Sequence, residues 1–194
     1  MQSHNALEYD YTVAKMLTIA TIVLGIVGMT VGVIIAFQLA FPELSNLAGE
    51  YGTFGRLRPL HTDAVAFGFT LSGIWASWYY FGQRILKVSM AESPFMMFIG
   101  KLHFWVYILG VAAVVVSLLL GITTSKEYAE FEWPIDIAIV VVWVIFGINL
   151  FGMIGIRREK YLYISMWYMI AFYVAVAMLY LFNNMDIPTY FASG

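Results

Sequence analysis

The sequence predicts an all-α fold: a polytopic membrane helix bundle with five transmembrane helices. Three observations carry this. Of the 194 residues, 62% are hydrophobic and only 11% are charged. An ordinary soluble domain has roughly 25% charged residues, so this chain cannot cover its own surface in water. Five stretches are each long enough to span, which takes about 20 mostly apolar residues. The charged residues gather in the short connections between those stretches.

The first stretch runs from about residue 13 to 41. The tail before it is polar and carries acids, and the apolar run is too long for an h-region, so it reads as a spanning helix and not a cleavable signal peptide. Gly25, Gly28 and Gly32 give it a small-residue face for close helix packing. The second stretch runs from about 61 to 85, with Pro59 placed where a helix start tolerates a missing N–H. Its FGFTLSG run is a second small-residue surface. The third stretch covers about 95 to 122, the fourth about 134 to 156 after Pro134, and the fifth about 161 to 182 after the cluster RREK. In lipid all five must be helical, because only then is every backbone group satisfied internally. The whole of 1–194 reads as one membrane domain.

Lys and Arg set the topology. Seven of the ten (Lys15, Arg84, Lys87, Lys101, Arg157, Arg158 and Lys160) fall on the side of the N-terminal tail and of the second and fourth connections. Arg56, Arg58 and Lys126 fall on the other side. The expected orientation places the N-terminus in the cytoplasm and the C-terminus outside.

The net charge of -2 suggests no nucleic-acid partner. With no cysteine there are no disulfides, no thiolate metal sites and no thioether-attached heme. Three histidines remain: His4, His61 and His103. His61, in GRLRPLHTDAV near the outer face, has two readings. It can ligate heme iron, or it can be an interfacial histidine bonded to a neighbouring carbonyl, which is the commoner case. Arg56 and Arg58 can grip heme propionates bidentately or simply snorkel. Glu127, Glu130, Glu132 and Asp136 can hold a hard cation such as calcium, or form a solvated acidic loop and a favoured helix N-terminus. His103 is expected at the opposite, inner interface, packed among Phe104, Trp105 and Tyr107. Across a core roughly 30 Å thick, it and His61 cannot ligate one heme.

Three runs then carry a family resemblance. TFGRLRPLHTDAVAFGF (53–69), SKEYAEFEWPIDI (125–137) and VGVIIAFQLAFPEL (31–44) resemble segments of subunit I of the C-family, cbb-type heme–copper cytochrome c oxidases. The resemblance covers essentially the whole chain and matches the N-terminal portion of that subunit. It implies that His61 is an axial ligand of the low-spin heme b, that Arg58 contacts a heme propionate and that Glu127 helps hold calcium. The implied complex sits in the bacterial cytoplasmic membrane. It reduces oxygen to water with electrons from cytochrome c and pumps protons. Its implied partners are the remainder of subunit I, which carries copper and the high-spin heme, and membrane-anchored cytochrome c subunits.

Two departures stand out. Asp63 occupies the place of an asparagine in the family motif, and the family subunit has many more helices than five. The chain alone is therefore expected to be catalytically inactive. The rival readings are a stand-alone five-helix module with a heme-binding or assembly role, and a transporter. Few ionisable residues inside the spans and no matching pair of broken helices speak against the transporter.

Overall fold

A computed structural model of the chain describes residues 7–46, 49–124, 126 and 128–184. Among these residues the structure is helical, with no strand. Four helices are long and apolar enough to cross a membrane: α1 (Thr12–Ala40), α4 (Pro94–Leu120), α5 (Trp133–Gly155) and α6 (Ile164–Asn184). They correspond to the first, third, fourth and fifth predicted stretches.

The second predicted stretch forms differently. It is a helical path in three parts: α2 (Phe54–Asp63, 10 residues), a π-helical segment (Ala64–Thr70, 7 residues) and α3 (Leu71–Leu86, 16 residues). The residues at both junctions keep right-handed helical dihedrals, so the path is unbroken. It also begins earlier than the sequence suggested. Thr53 is extended and its carbonyl accepts the Leu57 N–H, which starts the helix there. Pro59 therefore lies inside α2 and not at its start. Inside a helix a proline lacks a donor and crowds the carbonyl four residues back, so α2 carries that cost at Pro59.

The π segment widens the helix and loosens its carbonyls from the regular ladder. In lipid such groups need partners, and hydroxyls supply them. Tyr107 of α4 donates to the carbonyls of Phe67 (3.0 Å) and Gly68 (2.8 Å). Ser72 donates to Gly68 at 2.5 Å.

Helix α1 lies very close to this path. A Cβ at Gly25 would sit 2.7 Å from Phe69, and one at Gly28 would sit 3.2 Å from Ala64. Gly68 and Gly73 return the approach against Leu24 and Thr21. The small-residue faces read from the sequence are thus one seam.

The main core is aromatic. Trp75, Trp78, Tyr79 and Phe146 are fully buried together with Leu17 and Leu150. His103 belongs to it, at 0% exposure. This corrects the expected packing among Phe104, Trp105 and Tyr107. The ring packs edge-on to Trp75 (4.4 Å) and stacks on Phe146 (5.4 Å), and its Nδ1 lies 3.2 Å from the Tyr79 hydroxyl. Its neighbours come from α3 and α5, whereas Trp105 of its own helix is exposed. Helix α6 docks on α5 through Tyr173, which lies parallel to Trp143 at 5.5 Å and over Gly147.

The connections sort onto two ends. At one end Gln83 donates to the Asp10 carbonyl (2.7 Å) and Ser89 to the Glu8 carbonyl (2.5 Å). Lys87 pairs with Glu159 (2.6 Å) and Arg158 with Glu92 (3.0 Å). The Lys87 ammonium holds the Glu159 carboxyl below its ordinary range. The N-terminal segment and the second and fourth connections therefore share one end, as the charge count requires. At the other end Gln38 donates to the Gly52 carbonyl (2.7 Å) and Tyr180 to Asp136 (2.7 Å).

Asn149 joins three helices. Its Oδ1 accepts the Trp78 Nε1–H and its amide donates to the Met96 carbonyl, both at 3.2 Å and both buried. Asn149→Leu should cost about 1–3 kcal/mol, because it orphans a buried donor and removes a partner of a buried acceptor. A thermal melt in detergent followed by near-ultraviolet circular dichroism would read this as a lowered midpoint.

Candidate functional site

The site is built where α1 meets α2. His61 falls in the last turn of α2. Its Nδ1 lies 2.8 Å from the Gly28 carbonyl of α1. A carbonyl oxygen only accepts, so Nδ1 carries the proton and donates. In the neutral ring the Nε2 lone pair is then left for a ligand. A backbone carbonyl on one ring nitrogen is the usual way a protein fixes the tautomer and aim of a metal-ligating histidine.

Gly32 makes this placement sterically possible. A Cβ there would stand 2.6 Å from His61 Cε1 and 2.9 Å from Nδ1. Residues 28 and 32 are one turn apart on one face of α1, so the same face supplies the carbonyl and the space. The glycine spacing was visible in the sequence as a packing stripe. Its service to His61 was not, because no sequence pattern says which side chain fills a notch on another helix.

Both sequence readings of His61 therefore meet: it is bonded to a neighbouring carbonyl, and that bond suits it to ligation. The residues present fit an iron-bound imidazole on two counts, the tautomer and the glycine notch.

The two arginines separate. Arg56 Nη1 donates to the Leu119 carbonyl at 2.7 Å, in the last turn of α4. Its guanidinium also meets Glu50 (3.5 Å), lies over Tyr51 and covers Gly121. A cation on those carbonyls suits a helix C-terminus, and this role occupies Arg56. Arg58 lies three residues before His61, hence on the same helix face, and is exposed.

Asp63, two residues beyond His61, is 3% exposed, and neither carboxylate oxygen has a hydrogen-bond partner among the described residues. Glu130 is the carboxylate that acts on it electrostatically. The other acids do not converge. Asp136 accepts the Tyr180 hydroxyl, and Glu130 Oε2 is buried without a hydrogen-bond partner among the described residues. Among the described residues no group of three or more His, Asp or Glu is placed to hold a metal ion. Glu127, the expected calcium ligand, lies outside the described residues, as does His4.

His103 is far from this site. It touches Trp75, fourteen residues beyond His61 along the same helical path, or about 20 Å at 1.5 Å per residue. The structure does not bring the two histidines together, in agreement with the sequence argument.

Comparison with known proteins places this geometry in context. Residues 12–193 match the family described as Cytochrome C and Quinol oxidase polypeptide I. The chain is 43% identical over 97% of its length to the Cbb3-type cytochrome c oxidase subunit CcoN1 of Stutzerimonas stutzeri, covering 39% of that protein. It is 43% identical over 93% of its length to cytochrome c oxidase subunit 1 of Rhodobacter capsulatus, covering 34%. It is 39% identical over 95% of its length to a cytochrome c oxidase subunit 1 homolog of Agrobacterium tumefaciens, covering 33%. The chain thus spans between a third and two-fifths of the length of these relatives.

Gly32→Val should push the His61 ring away from α1, an overpacking cost of about 1–3 kcal/mol. Nitrogen-15 histidine spectra would register it as loss of the hydrogen-bonded Nδ1–H signal. A spectrum unchanged by the substitution would show that the ring is not held in the Gly32 notch.

Proposed function

Because the chain belongs to the cytochrome c and quinol oxidase polypeptide I family, we propose that it forms the first helices of the catalytic subunit of a cbb-type oxidase, with His61 an axial ligand of a low-spin heme b. The observation that supports this most directly is the 2.8 Å contact of His61 Nδ1 with the Gly28 carbonyl, which leaves Nε2 as the ligating atom. The heme, when bound, supplies one-electron transfer. The residues of this chain do the rest. Gly28 fixes the tautomer, Gly32 gives the imidazole its room, and Arg58 pairs with a propionate as only a planar guanidinium can do bidentately. Arg56 stiffens the neighbouring end of α4.

Membership of the family supports reading the whole protein as an oxidoreductase of the respiratory chain. The finer assignments are part of the proposal. Electrons come from cytochrome c, carried by membrane-anchored cytochrome c subunits, and oxygen reduction is coupled to proton transport. Copper and the high-spin heme are held by the remainder of subunit I. Glu127, in the run that resembles the family's calcium segment, helps hold calcium. The N-terminus lies in the cytoplasm, so the His61 end of the bundle faces outward. The grouping of the Lys- and Arg-rich connections at the opposite end supports this orientation.

His61→Ala should abolish the low-spin heme in the assembled oxidase. The reduced-minus-oxidised absorbance spectrum would lose the low-spin heme b band. Undiminished heme b in that variant would dismiss the ligand assignment.

The 194-residue chain by itself should consume no oxygen in the presence of reduced cytochrome c, measured with an oxygen electrode. Its described histidines are one held against α1 and one buried in the aromatic core, which leaves no imidazole set for a copper ion beside a heme. Turnover by the purified chain would contradict the assignment of catalysis to the remainder of the subunit.

A further inference from the structure

We propose that the groove between α1 and α3, at the Lys- and Arg-rich end of the bundle, is a binding site for one anionic phospholipid. The groove has a volume of about 440 Å³ and is open along one side. Its wall on α1 runs from Tyr11 to Thr21, and its wall on α3 runs from Gly73 to Tyr80. Ten residues of helix are about 15 Å long. That is half of a hydrocarbon core roughly 30 Å thick, the depth of one leaflet's acyl chain.

The deep part of the groove is suited to a chain and not to a polar ligand. Ala14, Gly73 and Ala76 leave the space. Three hydroxyl residues line it, but each already has a partner: Thr18 and Ser77 turn back on their own helices, and Thr21 meets both its own helix and the Ser72 hydroxyl. Thr18 donates to the Ala14 carbonyl and Thr21 to the Leu17 carbonyl, both at 2.8 Å, and Ser77 donates to the Gly73 carbonyl at 2.9 Å. With their donors spent, these residues offer the groove mainly methyl and methylene surface.

The mouth is the opposite. Lys15 is exposed on the α1 wall. The Tyr11 and Tyr80 rings meet across the gap at 5.0 Å, and amphipathic rings favour the headgroup level. Arg84, one turn beyond Tyr80, donates to the Tyr80 hydroxyl at 3.0 Å and lies over its ring, so its fork is held in place. The neighbouring acid, Asp10, accepts the Thr12 N–H at 2.8 Å and lies within electrostatic reach of Lys101 as well as Lys15. The mouth is therefore cationic on balance. A basic mouth over an apolar slot of leaflet depth fits a phospholipid with a negative headgroup. A free phosphate would use only the mouth and leave the slot unexplained.

The test uses the assembled oxidase in phosphatidylcholine nanodiscs doped with a phosphatidylglycerol probe that carries a photoactivatable diazirine at the end of one acyl chain. After illumination, labelled peptides of α1 and α3 are mapped by mass spectrometry. Labelling is expected around Thr18, Thr21, Gly73 and Ser77. It should exceed that of the matching phosphatidylcholine probe by about tenfold and fall by a similar factor in the K15Q/R84Q double variant. Ser77→Trp keeps both charges but fills the slot, and should reduce labelling equally. An unchanged heme absorbance spectrum certifies that each variant is folded. Equal labelling by the two probes, or labelling that survives K15Q/R84Q or Ser77→Trp, would overturn the proposal. So would loss of labelling to inorganic phosphate at matched ionic strength, which would assign the mouth to a free anion.

Discussion

Helix α1 approaches the α2–π–α3 path at a distance that only glycine permits. A methyl group at Gly25 would overlap Phe69, and one at Gly32 would overlap His61. In lipid there is little hydrophobic gain from bringing two apolar helices together, so close van der Waals contact across small residues must hold them. Much of the remaining geometry follows from that contact. It brings the backbone of α1 within hydrogen-bond reach of a side chain on its neighbour, so that the Gly28 carbonyl meets His61. It also lets Thr21 and Ser72 bond across the seam at 2.9 Å. Further along, Leu17 is driven into the aromatic core. A bulkier seam would part the helices and leave the imidazole to rotate.

The π segment is the complement of this seam. A wide turn directly after α2 shifts the helix face, so that the aromatic run Trp75, Trp78 and Tyr79 points to α4 and α5 while His61 points to α1. The cost is a set of loosened carbonyls in a medium without water, where each unsatisfied group is expensive. Tyr107 and Ser72 meet that cost with their hydroxyls. The segment is thereby locked from both sides, by glycines on α1 and by a tyrosine on α4.

Much of this was legible in the sequence because lipid simplifies the code. Apolar runs marked, within a few residues, the four helices long and apolar enough to cross a membrane, and they marked the helical path between the first two with a later start than it has. The Lys and Arg count grouped the same connections that Lys87–Glu159 and Arg158–Glu92 tie together. His61 stood out because it is an ionisable residue at the edge of a span, and the family motif around it was long. What escaped depends on pairing between helices. Nothing local in KLHFW says that His103 is buried under Trp75 and Phe146, since the charges and rings beside it suit an interface equally well. The early start of α2 was hidden by Pro59, which reads as a boundary even when it lies inside a helix. Arg56 and Arg58 looked equivalent in GRLR; only the fold shows that Arg56 reaches the end of α4.

His61 and His103 show how one residue type takes two roles in one bundle. His103 Nδ1 meets a tyrosine hydroxyl, which can donate or accept, so that contact does not fix the tautomer. Its other nitrogen is sealed among aromatic rings without a partner among the described residues. Burial of that kind makes a histidine part of the packing. His61 Nδ1 meets a carbonyl, which can only accept, so its proton is assigned and its second nitrogen is chemically defined. The histidine is also only half-buried, at a position where further helices of a longer subunit can close over it. Under the proposed heme role, a defined lone pair on a half-buried ring is what ligation requires: the wall built by α1 and α2 aims the ligand.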